Sequence, residues 1–172
     1  PAAPEVEVDH FPGSQARIQL LFPNGAEEVV NLAGPSTVEV MVGSNGQSSD
    51  TDGDGRDQVD TEIVQMELTG ISPSVGPLTL RLRAFMRSLG EIEEQVNATP
   101  GILDLPPFAP AGTADSFFDV FFDIEVHNLG QVLHNDQPDR MSAIISHKPP
   151  GQGTVYQSQA AVELLDELVA RQ

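Results

Sequence analysis

The stretch Ser116-Phe-Phe-Asp-Val-Phe-Phe-Asp-Ile-Glu-Val-His127 decides the fold class. Phe118, Val120, Phe122, Ile124 and Val126 recur at every second position, the period of a pleated strand with one buried face. Phe117 and Phe121 fall among acids on the other face, so four of the chain's eight Phe are concentrated here. That density marks a central strand partly buried on both faces. The second face reads as another layer of core; an outward apolar stripe used as a subunit contact is the alternative.

Alternation continues to both sides. Ala16 to Phe22 places Ile18, Leu20 and Phe22 on one face, and Pro23-Asn24-Gly25 turns the chain into a short strand from Glu27 to Leu32. Gly34-Pro35 predicts a break, after which Val38, Val40 and Val42 point inward. Val59 to Leu68 reads as a longer strand with Val64, Met66 and Leu68 on its core face and Glu62 on the same side. Leu78, Leu80 and Leu82 alternate with Arg81 and Arg83, which suit cross-strand pairing with acids. Residues 84–99 fit a strand or a helical turn. Val126 to Leu133, around Asn128-Leu-Gly130, predicts a hairpin turn, and Met141, Ala143 and Ile145 face opposite to Ile144 in a further strand.

The period changes only near the end. Ala161, Leu164, Leu165, Leu168 and Val169 fall at helical spacing, which predicts a short amphipathic helix. The expected architecture is an all-β antiparallel β-sandwich of about 7–9 strands. Its expected parts are an extended Pro-rich arm over 1–15, a calcium-loop sandwich over 16–156 and a C-terminal helical segment over 157–172.

At 172 residues and 39% hydrophobic content the chain suits one domain with a real core. The net charge is −18, from 26 acids against 8 bases, which disfavours nucleic acid and anionic membranes and favours bound cations. No apolar run reaches the length of a membrane-spanning helix. With no Cys, disulfides and thiolate chemistry are excluded. Pro1-Ala-Ala-Pro-Glu5 reads as a mature start left by removal of a leader, or as a linker. These features together lead us to expect an extracellular protein held by something other than disulfides.

The sharpest chemistry lies at Asp50-Thr-Asp-Gly-Asp-Gly-Arg-Asp-Gln-Val-Asp-Thr-Glu62, six carboxylates and one Arg in thirteen residues. Asp50, Asp52, Asp54 and the Arg56 carbonyl take positions 1, 3, 5 and 7 of a calcium loop, with Gly55 at position 6 for the sharp turn. Position 12 is Thr61, so Asp57, Asp60 or Glu62 must close the shell. A solvated acidic turn is the plainer reading. Magnesium suits an all-protein cage poorly. His10, His127, His134 and His147 show no metal-ligand spacing and read as polar strand ends.

Catalytic patterns are weak. Glu91, Glu93 and Glu94 could form a carboxylate pair for glycoside hydrolysis, but such pairs arise by chance in an acidic chain. One Tyr and no Trp leave little platform for sugar. No Gly-x-Ser-x-Gly elbow is present. Asn97-Ala-Thr99 fits a glycosylation sequon, followed by an unfavourable Pro100. The expectation is therefore a non-enzyme.

The Asp-rich loop resembles those of dockerin-like and thrombospondin type 3 modules, grafted here on a sheet. From Asp50 to Pro150, on the stretches DTDGDGRDQVDTEIVQMELTG, GEIEEQVNATPGILDLPPFAPAGTADSFFDVFF and MSAIISHKPP, the chain also resembles a group of uncharacterised secreted bacterial β-domains. That resemblance implies an extracellular calcium-loop domain and supplies no catalytic residues.

The functional expectation is a calcium-stabilised extracellular structural subunit that assembles with copies of itself into a filament or surface layer, with the N-terminal arm adding as a strand to a neighbour. The alternative is a calcium-dependent adhesion or ligand-binding module of a larger secreted protein, with glycan as a weakly supported ligand.

Overall fold

The computed structural model describes residues 5–158 and 165–166. They form one antiparallel sheet of 11 strand segments: β1 (Glu7–Leu21), β2 (Glu27–Val40), β3 (Gln58–Ser72), β4 (Gly76–Leu82), β5 (Ser88–Glu94), β6 (Ala114–Val120), β7 (Phe122–Val126), β8 (Gln131–His134), β9 (Asp139–Ile145), β10 (Gln157–Ser158) and β11 (Leu165–Asp166). There is no α-helix among the described residues; a single 3₁₀ turn, His127–Leu129, closes the β7–β8 hairpin with Gly130 at φ 61°.

The register shows how these segments make an all-β sandwich. β1 pairs with β2, and β2 with β3. The first half of β3 then pairs with β5 and its second half with β4. From there every pass is split at a common waist. β5, β6, β9 and β10 continue one half, and β4, β7, β8 and β11 the other. The inward faces of the two halves enclose one core. Leu78, Leu80, Phe122, Ile124 and Val126 come from one half, and Ile92, Ala114, Phe118, Val120 and Ile145 from the other. Val30, Leu32, Val38, Val40, Val59, Ile63 and Leu68 of the shared strands fill the space between. Truncating a ring such as Phe122 in this setting costs about 3–5 kcal/mol.

The waist falls at Phe121, yet the alternation of the opening stretch runs straight through it. Phe118, Val120, Phe122, Ile124 and Val126 are all buried, as their spacing predicts. Side chains replace the interrupted ladder. Asn135 accepts the Phe122 N–H at 2.8 Å and donates to the Val120 and Gln137 carbonyls, both at 2.9 Å. Ser88 Oγ accepts the Phe121 N–H at 3.0 Å. Phe117 is half-buried, with the Arg140 guanidinium 4.0 Å above its ring, so it is neither a bare stripe nor a second core.

Four expectations change. Gly34-Pro35 does not break the chain: β2 runs through it, because Pro35 lies opposite the Phe11/Ser14 irregularity of β1, where the ladder needs no N–H from it. Residues 7–15 are the first half of β1, paired within the chain's own sheet, rather than a separate arm. In β3 a register shift opposite Thr37/Val38 turns Val64 outward, 40% exposed, and Ile63 inward, 8% exposed. The helix expected over 159–170 falls largely outside the described residues. Where it is described, Leu165 and Asp166 pair as strand with His134 and Leu133. An isolated short helix is marginal in water, whereas the open edge of β8 offers the backbone immediate hydrogen bonds.

Candidate metal centre

The β2–β3 connection carries the acidic loop, and the β5–β6 connection packs beside it at the same end of the sandwich. Leu103 and Leu105 of that second loop are fully buried and cap the core. Leu103 N–H donates to the Gly46 carbonyl at 2.8 Å, and Ser48 N–H to the Gly101 carbonyl at 3.1 Å. The two loops thus form one hydrogen-bonded unit.

Within it, Asp50, Asp52 and Asp54 each present a carboxylate oxygen within 4.8 Å of the others, all three side chains on the exposed surface. Backbone amides shape the loop around Asp50: Oδ1 accepts Gly53 N–H at 2.7 Å and Asp54 N–H at 3.1 Å, and Oδ2 accepts Gly55 N–H at 2.8 Å. Gly55 lies at φ +90°, a conformation that favours glycine and supplies the turn expected at position 6. The loop thus gathers three hard oxygen donors, the ligand type that calcium takes.

Arg56, next in the chain, stands as an internal counter-cation. Its guanidinium donates to Asp54 Oδ2 at 2.7 Å and reaches Glu93 at 2.6 Å and Asp115 at 3.9 Å. The hydrogen bond from Arg56 holds the Asp54 carboxyl below its ordinary range. Glu93 is shifted the opposite way by burial, with Arg56 opposing and Asp54, Glu91 and Asp52 reinforcing.

The remaining expected ligands go elsewhere. Asp57 is buried; its Oδ2 accepts the Gly101 N–H at 2.6 Å, tying the acidic loop to its neighbour. Asp60 is exposed on β3 opposite Glu91, and Glu62 pairs with Arg87. Asp50, Asp52 and Asp54 are the one convergent set of three or more acidic or His side chains among the described residues. Glu91 and Glu93 lie on one face of β5, while the adjacent Glu94 turns inward and is fully buried. The Asn97 side-chain amide donates to the Gly55 carbonyl at 3.1 Å, so it braces the loop.

The buried support of this end was not visible in the sequence. Glu94 accepts the Asp57 and Asp104 N–H groups at 2.9 and 2.8 Å, and Asp104 Oδ2 accepts those of Ala98 and Thr99 at 2.7 and 2.8 Å. In so acidic a chain, nothing in residue type separates a buried carboxylate from a solvated one. The inward parity of Glu94 beside Ile92 was the available signal.

No family model matches this chain, and no curated protein matches it. Among solved structures it is similar to DynF from the dynemicin biosynthesis pathway of Micromonospora chersina, with a TM-score of 0.74 and 20% identity over 98% of this chain and 74% of that one. At that identity the likeness shows the fold alone. No helix among the described residues is long and apolar enough to cross a membrane.

Proposed function

We propose that this chain is a calcium-stabilised structural β-domain, acting outside the cell and associating with copies of itself, without a catalytic role. The observation that carries the reading is the convergence of Asp50, Asp52 and Asp54 on a loop wired into the buried end of the sandwich. A cation there would screen mutual repulsion in a chain of net charge −18 and pin the β2–β3 connection. In a chain without Cys that is the work of a disulfide. The flanking elements are strands on both sides, so the metal would fix the loop rather than open a helix pair.

Self-association is supported by the sheet's edge. Among the described residues β1 pairs with β2 alone, which leaves its other side open to a partner. Exchange of residues 7–15 between copies would first require β1 to leave β2, so we favour contact between folded subunits.

The test is thermal unfolding in chelator and in calcium. Calcium at ten to a hundred times its dissociation constant should add about 1–3 kcal/mol of stability. The double variant Asp50→Asn/Asp52→Asn should keep its fold and lose the calcium response. Identical melting of the native chain in chelator and in calcium would remove the metal from the proposal.

A further inference from the structure

Lys148 is the chain's only lysine, and its other seven bases are Arg. The Lys148 side chain is 2% exposed; its ammonium meets Glu7 and lies 3.0 Å from Asp9 Oδ1. Glu7 and Asp9 stand at alternate positions of the edge strand β1, directly opposite Val40 and Val38 of β2, both buried. The Asp9 side chain is 10% exposed and that of Glu7 36%, so Asp9 is on the drier side. An amine and a carboxyl group are thus held in contact where little water reaches them.

The residue type is informative. A site that needed only a buried ion pair is better served by Arg, whose planar fork binds carboxylates at two points and is more weakly hydrated. What Lys has and Arg lacks is an amine that can shed its proton and act as a nucleophile. This chain uses that group once, and places it against two carboxyls.

We propose that Lys148 Nζ and the Asp9 carboxyl condense into an intramolecular isopeptide bond, and that Glu7 moves the protons. A proton passes from the Lys148 ammonium to Glu7, and the freed amine attacks Asp9 Cγ. The Nζ–Cγ bond forms and one C–O bond of Asp9 breaks. Nζ keeps one of its three protons; the other two leave with the departing oxygen as water, one of them returned by Glu7. No electron changes hands and no co-reactant is needed. The same condensation is uphill between free groups in water. Here the groups are already in contact, and well-oriented pairs reach effective concentrations of about 10⁵–10⁸ M. The amide also removes two charges that burial makes costly to keep. The link joins residues 139 positions apart, fastens β1 to the segment after β9 and constrains the unfolded chain as a disulfide does. It goes beyond the calcium site, requires no metal and gives a chain without Cys a covalent staple.

Intact-mass spectrometry of the folded chain, fresh and after prolonged incubation in chelator and in calcium, is the test. The linked chain should be lighter than its sequence by one water. Trypsin should then release the fragment ending at Arg17 joined to the fragment that holds Lys148. In the unfolded linked chain Lys148 should resist an amine-reactive ester. Asp9→Ala should keep its full sequence mass, and Glu7→Ala should form the link about a hundredfold more slowly, both with the native circular dichroism spectrum. A folded native chain that keeps its full mass under both conditions would overturn the proposal, make Lys148 an ordinary buried ion pair and leave the calcium reading untouched. A lost water that maps to a cyclic imide at Asp52-Gly53 or Asp54-Gly55, with Lys148 free, would overturn it equally. A link to Glu7 in place of Asp9, or a native rate in Glu7→Ala, would overturn the roles given to these two acids. Should a variant fail to fold, the mass and fragments of the native chain decide alone.

Discussion

Glu94 and Asp57 hold each other across the base of the acidic loop. The Asp57 N–H donates to Glu94 Oε1 at 2.9 Å, and the Glu94 N–H donates to the Asp57 carbonyl at 3.0 Å. The second oxygen of Glu94 accepts the Asp104 N–H at 2.8 Å, so one buried carboxylate joins the two loops of this end. Glu94→Ala leaves two buried N–H groups without acceptors. Each such loss costs about 1–3 kcal/mol, and the variant should be destabilised by roughly 2–5 kcal/mol in urea unfolding. An unfolding midpoint equal to that of the native chain would mean that the loops are held by other contacts.

Arg56 competes with any cation for Asp54, since its guanidinium already donates to Asp54 Oδ2 at 2.7 Å. Arg56→Gln should therefore lower stability in chelator, where Glu93 and Asp115 lose their counter-charge. The same change should enlarge the calcium-induced rise in melting temperature, because Asp54 becomes free to ligate. Calorimetric titration should give a larger association constant for the variant. A smaller one would mean that Arg56 builds the site, through its carbonyl or by shaping the loop, and does not compete with the metal.

The strand content was legible because alternation is a local signal. Phe118 to Val126 kept its parity even across the waist, since Asn135 and Ser88 repaired the ladder and no residue was inserted into that strand. Parity fails where the pairing shifts: alternation alone puts Val64 in the core, and the shift opposite Thr37/Val38 that turns it out shows only in the pairing of β2 with β3. The convergence of Asp50, Asp52 and Asp54 followed from a spacing of two with Gly55 at the turn. The fate of Asp57 did not, because the Gly101 N–H that claims it comes from a loop distant in sequence.

Stability should rise on mild acidification when the metal is withheld. Burial is the first cause that lifts the carboxyls of Glu91, Glu93 and Glu94 above their ordinary 4.5, and that of Asp139 above 3.8. A carboxyl with a raised folded pKa binds more protons in the folded state between the two values. Its contribution is therefore lost as pH rises through that window and recovered as pH falls. Glu28 and Asp54 are shifted the other way and withdraw stability only below their own ordinary values, 4.5 and 3.8. The melting temperature in chelator should thus be higher near pH 5 than near pH 7.5. A melting temperature that falls as the pH is lowered from 7.5 to 5 would show that other groups dominate.

Lys148 closes the sandwich from the far side of the sheet. It follows β9, yet its buried ammonium pairs with Glu7 and lies 3.0 Å from Asp9, both on the edge strand β1. The Lys148 N–H also donates to the Pro106 carbonyl at 2.8 Å, which places the clamp beside the loop that caps the core. Removing one partner of a buried charge cluster strands the others. Lys148→Met leaves Asp9, with a side chain only 10% exposed, beside Glu7 with no cation between them. The expected loss is about 3–5 kcal/mol. The loss should also be local in its first effect: amides of residues 7–11 should exchange faster in the variant well before β6 and β7 do. Changing all three residues, Lys148→Met with Glu7→Gln and Asp9→Asn, should recover part of the stability, because no unpaired charge remains. If Lys148→Met leaves exchange in β1 unchanged, the pairing with β2 alone holds that edge.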